Sequence, residues 1–145
     1  MAMTNRKDSW EELIAAAWQA RTFAYAPYSG FYVGAAVQCA DGSIYSGCNI
    51  ENVSYGLTNC AERTAMFQAI ANGANQLKRM VICADTEEPI APCGACRQVM
   101  VELAPQMEVL LINKEGKQIF TTVESLMPYS FSDFPKKTED DEGDV

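Results

Sequence analysis

Apolar residues first recur at helical spacing. Trp10, Leu13, Ile14, Ala17 and Trp18, with Arg21 continuing the period, stand three or four apart and share one face. That pattern predicts an amphipathic helix over about residues 9–24. Asp8 or Ser9 can cap it, and Glu11 and Glu12 fall in its first turn, where carboxylates meet the positive end of the helix dipole. Ala26-Pro27-Tyr28-Ser29-Gly30 breaks the pattern. Residues 31–39 and 44–50 then read as strands joined at Asp41-Gly42, a tight turn whose glycine tolerates positive φ. A second helix is expected from Cys60 to about Ala71, capped by Asn59 or Thr58. Ala61, Ala65, Met66, Phe67, Ala69 and Ile70 make it apolar on most sides, so it is expected to be buried. Residues 80–84 form a short, continuously apolar strand of the kind covered on both faces. A third helix begins at Pro92-Cys93 and stops ahead of Pro105. Residues 109–112 and 118–122 read as strands, and 123–127 as a last helical turn.

The order α-β-β-α-β-α-β-β implies a mixed sheet layered with helices. Only residues 113–117 separate the last two strands, whereas a parallel pair needs a crossover of roughly a dozen residues or more. Those two strands are therefore expected to be antiparallel.

Length and charge narrow the picture. A chain of 145 residues is the size of one domain, here assigned to residues 1–131. The net charge is −8. Half of it lies between Asp133 and Val145, where six acids face two lysines. Residues 132–145 are therefore expected to be an acidic, disordered tail. Eleven scattered basic residues against nineteen acidic ones disfavour nucleic acid, which is met by gathered Lys and Arg. The start of the chain lacks the apolar stretch of a signal peptide, and no run is long enough to span a bilayer. The expectation is a soluble cytoplasmic protein whose six cysteines are reduced thiols or metal ligands rather than disulfides.

Two segments carry the chemistry: Cys60-Ala61-Glu62-Arg63 and Pro92-Cys93-Gly94-Ala95-Cys96-Arg97. Both fall at expected helix starts, where unpaired N–H groups and the dipole favour thiolate over thiol. Cys93 and Cys96, three apart, share one face of one turn and can grip a cation. Cys60 joins them if the strand around Ile82 sets the two helices side by side. The chain has no histidine, so three thiolates on zinc leave a tetrahedral position open, as in catalytic rather than structural sites. Water bound there has its pKa brought down to about neutrality, and Glu62 is placed to take its proton. Three thiolates over-neutralise Zn²⁺, and Arg63 can offset the excess by donating to sulfur. Other readings stand beside this one. The Cys-x-x-Cys can be a redox pair, and a closed structural site can use Cys48 as fourth ligand. Glu62 and Arg63 can be an ordinary first-turn carboxylate and a salt-bridge residue. Cys39, Cys48 and Cys83 lie in apolar strands and read as small buried hydrophobes.

From about Trp10 to Phe131 the chain resembles the cytidine deaminase family, specifically its small homotetrameric branch. The resemblance rests on Tyr25-Ala26-Pro27-Tyr28-Ser29, Phe31-x-Val33-Gly34-Ala35, Gly47-Cys48-Asn49-Ile50-Glu51-Asn52, Cys60-Ala61-Glu62-Arg63-Thr64-Ala65 and Pro92-Cys93-Gly94-Ala95-Cys96-Arg97-Gln98. The Glu beside the first ligand and the later Pro-Cys-x-x-Cys are the general zinc deaminase signature. Cys60 stands where many relatives have His, a hallmark of the homotetrameric branch. Ala91 departs from the expected Ser or Pro. The resemblance implies an α/β/α three-layer sandwich around a five-stranded mixed sheet, with one zinc ion per chain. It implies that Cys60, Cys93 and Cys96 hold the metal while Glu62 shuttles protons. Phe31 would pack on a pyrimidine ring, Asn49 and Glu51 would bind ribose hydroxyls, and backbone around Cys60 and Ala61 would read the base edge. Arg63 would offset thiolate charge, and Phe131 would complete a neighbouring subunit's pocket in a homotetramer. The implied reaction is hydrolytic deamination of free cytidine, and of deoxycytidine, in pyrimidine salvage. Relatives that edit transfer RNA or DNA have His as first ligand, parallel final strands and a basic surface, none of which is expected of this chain. Blasticidin S deaminases share Cys-Ala-Glu, but Asn49-Ile50-Glu51-Asn52 argues for a ribose.

Overall fold

In a computed structural model, residues 9–134 are described. The possible cap Asp8 and most of the acidic tail lie outside them. The elements run α1 (Glu11–Arg21), β1 (Val33–Cys39), β2 (Ile44–Cys48), a 3₁₀ turn at Tyr55–Leu57, α2 (Ala61–Ala71), β3 (Leu77–Ala84), α3 (Gly94–Leu103), β4 (Glu108–Asn113), β5 (Gln118–Thr122) and α4 (Val123–Leu126). The strands form one sheet in the order β2-β1-β3-β4-β5. Only β3 and β4 are parallel, with α3 crossing between them. The other pairs, the last two strands included, are antiparallel.

The pleat of β3 explains the three layers, because successive side chains point to opposite faces. Met80, Ile82 and Ala84 face a core shared with Ala65 and Met66 of α2 and Met100 of α3. Val81 and Cys83 face Leu13 and Ala17 of α1. The run from Met80 through Ala84, with Ala17 and Ala65 against it, is fully buried, as a strand covered on both sides requires. Burial pushes the Cys83 thiol up to about 12, which fits an inert apolar role. Cys39 is buried and Cys48 half-buried, and both thiols are likewise raised by burial.

Several sequence expectations need correcting. α1 stops at Arg21 rather than near Ala24. Trp10 occupies its N-cap, while the Ser9 hydroxyl accepts from Glu11 N at 3.2 Å. Cys60 itself takes the N-cap position of α2, not Asn59 or Thr58, and its side chain makes no capping hydrogen bond. Nor is α2 buried all round: Phe67 and Ile70 are 46% and 42% exposed. Apolar composition alone could not tell which sides of that helix have tertiary partners.

Candidate active site

Three stretches of chain cross at Ile50 and assemble one wall. Ile50 exchanges backbone hydrogen bonds with Asn59, and Tyr25 does so with the flanking Asn49 and Glu51. This brings the Tyr28–Phe31 turn, the end of β2 and the entry to α2 together. The side chain of Asn49 is buried and holds the same wall: its Oδ1 accepts from Val33 N at 2.9 Å and its Nδ2 donates to Phe31 O at 2.7 Å. Glu51 accepts from Tyr28 N, Ser29 N and the Ser29 hydroxyl at 3.0, 3.1 and 2.5 Å. These bonds, Ser29 Oγ foremost, hold the Glu51 carboxyl below its usual range.

The opposite part of the site comes from two helix starts. Cys60 and Cys93 are the N-cap residues of α2 and α3, both in extended conformation. Cys96 lies in the first turn of α3, and its N–H points to Cys93 Sγ at 3.5 Å. The three sulfurs lie within 4.8 Å of one another, with Cys60–Cys93 at 3.8 Å and Cys93–Cys96 at 3.4 Å. Sulfurs each about 2.3 Å from a tetrahedral metal sit about 3.8 Å apart, so the cluster matches a zinc site with few adjustments. Cys48 lies outside this cluster, which removes the closed four-cysteine site.

Charge around the sulfurs is arranged for the same purpose. Arg63 Nη2 donates to Cys60 Sγ at 3.3 Å, and contact with the sulfurs raises the guanidinium pKa. Arg63 Nε is buried without a hydrogen-bond partner. A hydrogen bond from Cys96, then Arg63, brings the Cys60 thiol down to about 5. Proximity to Cys60 and burial push Cys96 the other way. A metal gains three thiolates here by displacing the protons the sulfurs hold. Glu62 is 4% exposed, and its Oε2 accepts from Cys96 Sγ at 3.2 Å. Burial raises its carboxyl pKa, which favours a group able to carry a proton.

Between the two walls lies a cavity of about 340 Å³, the size range of small-molecule sites. Phe31, Asn49, Glu51, Cys60, Ala61, Glu62 and Cys93 line it, so most residues singled out from sequence meet there. Arg63 stands behind the sulfurs. Phe131 is not part of this lining: it is 63% exposed, stacks edge-on against Phe134 at 5.3 Å, and its carbonyl accepts from Gln98 Nε2 at 2.7 Å. Ser29, Val33, Thr58, Ile90 and Ala91 complete the lining. Sequence reasoning asked a backbone contact of Ala91 and assigned the others no site role. Ser29 alone left a signal, as a hydroxyl two residues before Phe31 in a turn.

Comparison with known proteins agrees with this geometry. Residues 7–123 match the family model for the cytidine and deoxycytidylate deaminase zinc-binding region. The cytidine deaminase of Sporosarcina psychrophila is 53% identical over 123 residues, covering 84% of this chain and 90% of that protein. The crystal structure of cytidine deaminase from Burkholderia pseudomallei superposes with a TM-score of 0.82 at 51% identity, over 85% of this chain and 99% of that one. A blasticidin-S deaminase from Bacillus cereus is 31% identical over 129 residues, covering 83% of this chain and 91% of that protein.

Proposed function

This chain belongs to the cytidine and deoxycytidylate deaminase family, and from that premise we propose that it hydrolyses free cytidine, and deoxycytidine, to the uracil nucleoside and ammonia. The observation that carries the reading is the meeting of a three-sulfur cluster and a buried carboxyl with the polar side chains of Asn49 and Glu51 around one cavity. The cofactor is one zinc ion per chain, held by Cys60, Cys93 and Cys96. When bound, zinc supplies a Lewis acid that makes a proton on water available near neutral pH. Glu62 would take one proton from the attacking water as its oxygen bonds to C4 and pass it to N3, then take the second from the resulting C4 hydroxyl and pass it to the amino group as the C4–N bond breaks, so that both transfers stay within reach of one buried carboxyl. Arg63 offsets the net negative charge that three thiolates leave around a dication.

Phe31 stacks against the pyrimidine ring, and the backbone at Cys60 and Ala61 reads the base edge. Glu51 accepts from a ribose hydroxyl with the one Oε2 lone pair that Tyr28 and Ser29 leave free. Asn49 has one amide hydrogen and one lone pair beyond its backbone bonds to offer the other. Among the described residues no Lys or Arg lines the cavity, and Glu51 would face the sugar, so a phosphorylated nucleotide meets only like charge there. Net charge of −8 argues against nucleic acid.

The enzyme acts as a homotetramer in which Phe131 of one subunit closes the cavity of the next. Exposed Phe67, Ile70, Tyr129 and Phe131 support this, as large apolar side chains that an interface would cover. Among the described residues no helix is long and apolar enough to cross a membrane, and a site of three thiolates needs a reducing compartment. We place it in the cytoplasm on the second ground, and in pyrimidine salvage because the proposed product is a uracil nucleoside. The test is loss of cytidine absorbance with stoichiometric ammonia release, run beside deoxycytidine, adenosine and blasticidin S. Turnover of blasticidin S ahead of cytidine, or of none of the four by the zinc-loaded protein, would refute the assignment.

A further inference from the structure

Arg97 follows the last sulfur ligand directly, on the first turn of α3. Its backbone N–H donates to Cys93 O at 3.0 Å and its Nε to Pro92 O at 2.7 Å. One residue therefore grips two consecutive carbonyls, those of the ligand Cys93 and of the residue before it. The same guanidinium extends Nη1 to Leu126 O at 2.9 Å, the last residue of α4. Pro92 is buried and, lacking an N–H, has its carbonyl as its one backbone polar group. A buried carbonyl without a partner is costly, and a charged donor satisfies it with a stronger bond than a neutral one.

The geometry points to Arg97 as a positioning residue for the metal site and the cavity wall. The stretch Ile90, Ala91 and Cys93 lines the cavity, and this stretch is fixed to α3 through Arg97. Holding Pro92 sets where the Cys93 thiolate stands relative to Cys96. Holding Leu126 braces the same guanidinium against α4, so that it cannot swing off the wall. The inference rests on the metal-centred reading of the three-sulfur cluster, but not on what the enzyme deaminates.

Three variants test it: Arg97→Met, which keeps the stem and removes the donors; Arg97→Lys, which keeps the charge but has one nitrogen for two carbonyls; and Val101→Ala. Val101 is buried one turn further along α3, and its truncation loosens the helix without touching the wall. The readouts are the thiolate charge-transfer and ligand-field bands of the cobalt-loaded protein, and the rate of zinc release to a chelator. Arg97→Met is expected to shift the bands and speed release about tenfold, the lower range for losing a group that orients a ligand. Arg97→Lys should fall between Arg97→Met and the parent protein, and Val101→Ala should match the parent in both. Parent-like bands and release in Arg97→Met, or equal changes in Val101→Ala, would overturn the inference. Should Arg97→Met not fold, parent-like values for Arg97→Lys would overturn it instead. Neither readout needs turnover, so failure to deaminate cytidine would count against the proposed function and leave Arg97 to be judged separately.

Discussion

Gly47→Ala is the sharpest test of how the sheet holds the site. Gly47 lies in β2 against the first turn of α2, the turn that carries Glu62 and Arg63. A Cβ there would lie 2.6 Å from Ala65 N, 2.8 Å from Thr64 Cβ and 2.9 Å from Ala61 O. The nearest contact falls 0.8 Å short of the 3.4 Å at which ordinary contact begins. Two of the three neighbours are backbone atoms, so no rotamer change relieves the clash; helix and strand must separate. Overpacking of this kind costs about 1–3 kcal/mol, partly offset by the roughly 0.4–1 kcal/mol that Gly→Ala gains through the unfolded chain. The net effect is a loss of up to about 2.6 kcal/mol, a fall in melting temperature of up to roughly 10 °C for a domain of this size. Activity should fall further than stability. A displacement approaching 1 Å at the reacting groups can cost about 10²-fold in rate, so kcat is expected to drop by roughly one to two orders of magnitude while zinc is retained. Gly56→Ala is the control, because a Cβ at Gly56 meets nothing within 4 Å. Steady-state kinetics, zinc content and calorimetry on the same preparations decide it. If Gly47→Ala matches Gly56→Ala in both melting temperature and kcat, the tight strand–helix contact does not set the position of Glu62.

Glu62→Gln keeps the size and the acceptor for Cys96 but cannot carry a proton. It is expected to retain zinc and nucleoside binding while losing about 10²–10⁴-fold in kcat; loss of zinc, or retained turnover, would remove Glu62 from the proton transfers. Arg63→Gln should weaken zinc retention about 10–100-fold, because the excess thiolate charge goes uncompensated, and zinc competition with a chelator measures it. Glu51 has a pKa held below the usual carboxylate range, chiefly by Ser29. Its contribution to folding is therefore present above the unfolded carboxyl value of about 4.3 and lost as pH falls through the lower folded one. Carbon-detected NMR should give Glu51 a midpoint under that value, and Ser29→Ala should raise it; a parent midpoint at or above the ordinary value contradicts the hydrogen-bonded turn.

Features set by near neighbours in the chain were legible without a structure. The starts of α2 and α3 at Cys60 and Cys93 follow from breakers and periodicity within a few residues. A link of five residues between the expected strands forces β4 and β5 antiparallel, and an unbroken apolar run marks β3 as covered on both faces. Glu62 beside Cys60, and Cys96 three after Cys93, are placed by the pitch of one helical turn. What the sequence alone left open depends on which elements pack together. Cys60 and Cys93 are 33 positions apart, and they meet because α2 and α3 lie on the same face of the sheet. The same packing leaves Phe67 and Ile70 on the open side of α2 and Cys48 away from the sulfurs. It brings Thr58 and Ile90 into the cavity, engages Asn49 with backbone carbonyl and amide groups, and directs Arg97 to Pro92 and Leu126. Periodicity reports a residue's relation to its own element over one turn or one pleat, whereas a cavity or a metal site is defined by distances between elements, and only the order of strands in the sheet supplies those.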